Sequence, residues 1–277
     1  MDFERFLKKA APLFDLQWRR FKRGGIKRKL ERRIGELGLA TLEDYLLRIK
    51  EDSEEKSHLS QILTVTITRF FRDKKVFDIV KNSIFPTIVE RKRAGDFKIW
   101  SIGCANGEEP YSLSMLWKEK FEKDFPPIRL SILATDINEN LLARAGEGRY
   151  KKSSLEEVPE GMLQRFFEIK NGFYEIDPSL RKGVAFKKHD ILHEEPFSAM
   201  DIIFCRNLVF TYSSKECQID VLKKLAVSLK ENGTLVIGKD ESLPLTYPTL
   251  FIPAFPAERI YQKFDPRSLT SFRSFLP

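Results

Sequence analysis

A glycine-bracketed turn carrying acid is the first stretch of this chain whose residue types can do chemistry: Gly103-Cys104-Ala105-Asn106-Gly107-Glu108-Glu109-Pro110. Glycines let backbone approach a ligand closely between a strand and a helix. Two glycines alone also suit an ordinary strand-to-helix turn, and the neighbouring carboxylates separate the cases. A dinucleotide site aims helix N–H groups at a pyrophosphate, which acid would repel. Acid beside the turn suits a cationic or hydroxyl-bearing ligand instead. Asp136 ends the apolar run IRLSILATD. Open α/β sheets meet ligands at that position, and a carboxylate there can accept both hydroxyls of a ribose. Capping the following helix is the competing role. Arg206-Asn207 follow another apolar run, MDIIFC, at what counts as the fourth strand. An Asn there can hydrogen-bond a ligand amine, or simply close a turn.

S-adenosylmethionine has the matching chemistry: no phosphate, an amino group, a sulfonium and ribose hydroxyls. A metal is not expected, since three His and three Cys show no close pair among them. Cys104, Cys205 and Cys217 are an odd count without paired spacing, which fits small half-buried residues in a reducing compartment. Neither His nor Cys forms a recognisable catalytic constellation.

The elements that must position these residues follow from periodicity. FKIWSIG (97–103), IRLSILATD (128–136), VAFKKHD (184–190), MDIIFCRN (200–207) and GTLVIG (233–238) read as short strands, with helices after the first two. SSKECQIDVLKKLAVSLKENG reads as an amphipathic helix ending at Gly233, and ERIYQKF as a late antiparallel strand. Strands alternating with helices predict an α/β, mostly parallel sheet, with GFYEIDPSL breaking the rhythm inside an insert of small hairpins over 151–182. Residues 1–75 read as a separate helical domain and 76–277 as the α/β domain. In the first, Ile26, Leu30, Ile34 and Leu37 share a helix face after Gly24-Gly25, and Gly38 is a stop. TLED at Thr41 is a capping signal, and EDSEEKS (51–57) reads as a solvated loop or helix end. At 42% hydrophobic and 32% charged residues, the 277-residue chain has the composition of a soluble globular protein. No run is apolar enough to span a bilayer, and MDFERFLKKA lacks the apolar core of a signal peptide, so a cytoplasmic protein is expected. Residues 1–75 hold 19 Lys+Arg against 12 Asp+Glu, nearly all of the net +8. That excess predicts an acidic partner for the first third.

TRFFRD (68–73), WSIGCANGEEPYSLSM (100–115), ILATDINENLLARA (132–145), FCRN (204–207) and GKDESL (238–243), in that order, resemble the successive motifs of the chemotaxis receptor methyltransferases, the CheR family. GGIKRKLERRIGELGLATLEDYL and the closing ERIYQK are similar too. The resemblance implies a Rossmann-like class I methyltransferase domain with a small N-terminal helical domain and a small β-subdomain insert. Its reaction would turn S-adenosylmethionine and a glutamate side chain of a methyl-accepting chemoreceptor's cytoplasmic domain into a γ-methyl ester and S-adenosylhomocysteine. The residue-wise match assigns the cofactor to Thr66, Thr68, Arg72, Gly103, Glu108, Glu109, Asp136, Asp190, Ile191, Arg206, Asn207 and Leu208. Arg72 and Tyr212 are the expected catalytic residues, and Arg28, Lys29 and Arg32 the expected receptor-docking residues.

There are departures. Thr66 stands where the family usually has Asn, and Thr211 where a tyrosine is common, unless Tyr212 substitutes. A relative that binds the cofactor but has an altered substrate or lost turnover is therefore the alternative. Nucleic acid is not expected as a partner, because aromatic and basic residues are not interleaved as a stacking groove requires. Nothing demands an oligomer, and a monomer is expected.

Overall fold

The computed structural model describes residues 1–14, 23–63, 68–245 and 247–264. Helices α1 (Phe3–Ala10), α2 (Arg23–Glu36), α3 (Leu42–Glu51) and α4 (Ser53–Leu63) come first. Then α5 (Lys74–Ile79) runs through a π-helical stretch into α6 (Phe85–Lys92), β1 (Gly95–Ile102) and α7 (Glu108–Lys120). Next are β2 (Ile128–Asp136), α8 (Glu139–Glu147), β3 (Arg149–Tyr150), α9 (Glu160–Phe166), β4 (Phe167–Lys170), β5 (Phe173–Ile176) and α10 (Pro178–Arg181). The chain continues through β6 (Val184–Lys188), β7 (Met200–Cys205), α11 (Val209–Tyr212), α12 (Lys215–Ser228), β8 (Leu229–Ile237), β9 (Phe251–Phe255) and β10 (Ile260–Lys263). It divides into two compact units: Met1–Ile67 with Leu208–Gln218, and Thr68–Asn207 with Ile219–Pro277.

The second unit holds a seven-stranded sheet in the order β6-β2-β1-β7-β8-β10-β9. β6, β2, β1, β7 and β8 are parallel, while β10 runs antiparallel to both β8 and β9. Ile99 lies opposite both Ile132 and Ile202, so the central strands bury a continuous apolar strip, as parallel sheets covered on both faces must. Phe97, Trp100 and Phe204 are fully buried, with Phe97 meeting Phe85 and Trp117 edge-on. The order reverses beside β1: the chain goes out to β2, then returns to place β7 on β1's other side. That switch point opens a crevice at the carboxyl ends of the strands.

Several expectations change. The insert is more than hairpins, since α9 and α10 flank a three-stranded antiparallel sheet, β3-β5-β4. α12 ends at Ser228 rather than Gly233, because Leu229 already pairs with Met200. The register then shifts before Thr234 meets Ile202, and Asn232 at φ +57° takes up the slack. β9 was not expected at all.

In the first unit, Phe6, Leu7, Ile26, Leu30, Tyr45, Ile49, Leu59 and Leu63 form one apolar cluster, which Tyr212 joins. The predicted face of α2 is the buried one, although Gly24-Gly25 lie inside its first turn. Gly38 ends the segment at φ +65°, with the Leu39 N–H donating to Ile34 O at 3.1 Å. Thr41 and Asp44 form the capping box, each side chain accepting the other's backbone N–H.

EDSEEKS is where one helix ends and the next begins, the second of its two readings, rather than a loop. Asp52 Oδ1 accepts the N–H groups of Glu54 and Glu55, starting α4 in place of a Ser or Thr cap. Glu55 is 4% exposed. The Arg33 fork reaches it at 3.1 and 2.6 Å, and the Tyr45 hydroxyl donates to it at 2.7 Å. Removing Glu55 from this cluster leaves the Tyr45 hydroxyl buried without its acceptor and the partly exposed Arg33 without this partner, a loss of about 3 kcal/mol. Glu55→Ala is therefore expected to lower the unit's unfolding free energy by about that amount, read by denaturant titration. A change within experimental error would mean that water replaces the carboxylate.

Candidate functional site

The crevice at the switch point is built by the turn between β1 and α7. Gly103, Ala105 and Gly107 all have positive φ, at +70°, +50° and +87°. Gly107 also has no room for a side chain, since a Cβ would meet Ala145 at 3.0 Å and Phe186 and Tyr111 at 3.2 Å. The Gly103 and Cys104 N–H groups both donate to Thr135 O, at 2.8 and 2.9 Å, tying the turn to the end of β2. Asp136 then shapes it directly: Oδ2 accepts from the Ala105 N–H at 3.0 Å and Oδ1 from the Asn138 N–H at 2.9 Å. Asn138, not Asp136, caps α8, which removes the capping role considered for Asp136. Its carboxylate stays at the crevice wall with a second lone pair on each oxygen.

Glu108, the first residue of α7, is 1% exposed. Burial pushes its carboxyl up to about 7, against the opposing pull of its own backbone N–H and the Thr68 hydroxyl. Burial likewise raises Asp136, opposed by nearby N–H groups. The Cys104 thiol is held well above its ordinary range by burial and by the fields of Asp136, Glu109 and Glu108. Among the described residues, Glu108 Oε2 and Asn106 Oδ1 are buried acceptors with no donor. Native proteins rarely leave such atoms unmatched, so a donor-bearing cation fits here, as the ammonium of S-adenosylmethionine would.

Glu109 and Arg206 have other work. Glu109 accepts from the Ser101 hydroxyl at 2.8 Å and from Arg206 Nη1 at 3.1 Å. Arg206 Nη2 donates to the Arg72 carbonyl at 3.0 Å and to Asp73, and the guanidinium lies over the Phe77 ring. The Arg206 side chain is 3% exposed, so its fork ties the end of β7 to α7 and to the segment bearing Thr68 and Arg72.

The Asp190 carboxylate closes its own turn, accepting from the Leu192 N–H at 2.9 Å and lying 2.8 Å from His193 Nδ1. Ile191 is buried. Lys224 donates to the carbonyls of Ile191, Leu192 and Glu194 at 3.1, 3.1 and 2.8 Å, holding the turn from α12. Nothing in the sequence distinguishes it from a solvated helix lysine. Glu241, inside the quoted GKDESL motif but not singled out there, is 2% exposed and accepts from the Asn207 N–H at 2.8 Å.

Thr68, Arg72, Gly103, Glu108, Glu109, Asp136, Asp190, Ile191, Arg206 and Asn207 thus all lie in the second unit, and Thr66 lies outside the described residues. Leu208 and Tyr212 belong to the first unit, where Tyr212 is 9% exposed within the helical cluster. On α2, Arg28, Lys29 and Arg32 are exposed, with Arg32 3.6 Å from Glu36. Among the described residues, no His, Cys, Asp and Glu cluster could hold a metal ion, and no helix is long and apolar enough to cross a membrane.

Residues 1–64 match the family described as "CheR methyltransferase, all-alpha domain", and residues 66–256 match "CheR methyltransferase, SAM binding domain". The "Chemotaxis protein methyltransferase" of Listeria monocytogenes is 31% identical over 80% of this chain and 83% of its own length. The "Putative methyltransferase Cher3" of Pseudomonas putida is 30% identical over 90% of this chain and 92% of its own. A Rhodobacter capsulatus protein described as "Uncharacterized 104.1 kDa protein in hypE 3'region" is 31% identical over 80% of this chain, which spans only 23% of that protein's length. The chain belongs to the CheR methyltransferase family, with its all-α domain followed by an S-adenosylmethionine-binding domain.

Proposed function

We propose that the chain transfers a methyl group from S-adenosylmethionine to glutamate side chains of a methyl-accepting chemoreceptor's cytoplasmic domain, giving γ-methyl esters and S-adenosylhomocysteine. The observation that carries this reading is the buried acid around the turn, Glu108 and Asp136, with acceptors left unmatched at Glu108 Oε2 and Asn106 Oδ1. Glu108 and Asn106 would take the ligand's ammonium, Asp136 its ribose hydroxyls, and Asp190, Ile191 and Asn207 the nucleoside beyond. The name carried by the Listeria relative supports the acceptor class.

Bound S-adenosylmethionine supplies a methyl group activated by the sulfonium charge. The chain needs no general base for this acceptor, since a glutamate of pKa about 4.3 is already ionised near neutral pH. Its residues hold the reactants in line and exclude water. Arg72 would orient the incoming carboxylate through two parallel N–H groups. The basic face of α2, with Arg28, Lys29 and Arg32, would steer the acidic receptor surface.

The deciding experiment uses methyl-labelled S-adenosylmethionine with receptor cytoplasmic fragments from the same organism. Base-labile label on the receptor is the expected result. Base-stable label, or label on nucleic acid, would refute the carboxylate acceptor, and S-adenosylhomocysteine binding without any incorporation would favour lost turnover. Arg28→Glu combined with Arg32→Glu should raise the receptor KM severalfold at low salt and flatten its salt dependence, leaving KM for the cofactor unchanged.

Glu108 makes the pH dependence specific. Its folded-state pKa of about 7 exceeds the 4.5 of an unperturbed glutamate. The neutral form therefore stabilises the unliganded fold at low pH, and that contribution, roughly 3 kcal/mol, is lost as pH rises through about 7. A ligand ammonium prefers the ionised carboxylate. Affinity for S-adenosylhomocysteine is thus expected to climb between about pH 6 and about pH 8 in calorimetric titrations, and Glu108→Gln to flatten the climb.

A further inference from the structure

We infer that Glu241 is a positioning residue for the cofactor crevice, acting through Asn207; the inference rests on the functional reading above, in which Asn207 meets the cofactor. The ladder between β7 and β8 runs to Cys205 opposite Ile237. One residue past its end on β8, and two past it on β7, a single oxygen takes over. Glu241 Oε2 accepts the Gly238 N–H at 2.6 Å and the Asn207 N–H at 2.8 Å. Both donors are backbone groups beyond the paired strands, so these bonds add nothing to the ladder itself. What they fix is the turn.

Asn207 sits at φ +54°, a left-handed conformation that Asn adopts more readily than most residues but still at some cost, so contacts that favour it matter. The buried carboxyl supplies such a contact by accepting the residue's own N–H. Gly238 supplies the other half. A Cβ at Gly238 would lie 2.6 Å from Asn207 Nδ2 and 2.7 Å from Glu241 Oε2. The Asn207 carboxamide therefore rests against the Gly238 α-carbon, in space that any side chain would fill. Backbone conformation and carboxamide position at Asn207 are thus set by Glu241 and Gly238. Neither residue has to touch the ligand for this to matter.

A double-mutant cycle on the full chain separates action through Asn207 from general support of the fold. Calorimetric titration with S-adenosylhomocysteine would be read for the unaltered chain, Glu241→Gln, Asn207→Ala and the double variant, together with kcat and KM for S-adenosylmethionine. Glu241→Gln is expected to weaken binding about tenfold and to raise the cofactor KM more than it lowers kcat. In the Asn207→Ala background the same substitution is expected to change binding by less than about twofold. Equal weakening in both backgrounds, or unaltered affinity in Glu241→Gln, overturns the inference. Should Glu241→Gln not fold, Gly238→Ala replaces it in the cycle, because its Cβ displaces both the Asn207 carboxamide and Glu241 Oε2, and the same outcomes decide. If the unaltered chain itself fails to bind S-adenosylhomocysteine, the functional reading falls and this inference with it. Binding by the unaltered chain with an additive cycle sinks the inference alone.

Discussion

The guanidinium of Arg206 is buried between the carboxylates of Asp73 and Glu109, and the wall of the crevice is organised around that pairing. Its Nη atoms reach Glu109 and Asp73. Glu108 and Asp136, on either side of the same turn, receive no such partner and keep raised pKa values. Burial thus favours the neutral forms of these two carboxyls, and a cation brought beside them would favour ionisation again. The same fork aligns three segments that are far apart in sequence: the end of β7, the first turn of α7 and the residues before α5. The glycine turn thus inherits both its shape and its electrostatic character from residues that need not meet a ligand.

Arginine plays two opposite parts along α2. Arg33 is drawn inward by Glu55 and Tyr45, while Arg28 and Arg32, on the same helix, stay in solvent. The inward ion pair locks the rotation of the helix about its axis, and that rotation decides which basic side chains remain outside. Net charge over the first third was readable from composition. Its division into a structural arginine and a solvated set depended on Glu55, within a polar stretch that reads as a solvated loop or helix end.

The central strands were legible because a parallel strand buried on both faces is a continuous apolar run, and IRLSILATD became β2 without a residue's difference. The acid at the glycine turn was equally legible, since residue type alone argues against a phosphate. β9 was hidden by Pro253, which speaks against a strand except at a sheet edge, where β9 lies. The end of α12 was missed because Lys230 to Gly233 continue a helical composition, and only pairing across the sheet takes Leu229 out of the helix. Asp136 and Asn138 are equally good caps two residues apart, and the contest was settled by the Ala105 N–H, supplied from another strand's turn. Lys224 and Glu241 act on backbone atoms distant in sequence, and a contact of that kind leaves no local pattern.

The assignment of Leu208–Gln218 to the helical unit has a consequence for inheritance. Neither unit is a continuous stretch of polypeptide, because the first is completed only after most of the second has been made. A ribosome that has released residues 1–67 has not yet produced Tyr212, a member of the helical cluster. The residues that complete the helical unit are therefore made only after β7. Recombination that moved residues 1–67 alone into another gene would carry an incomplete core.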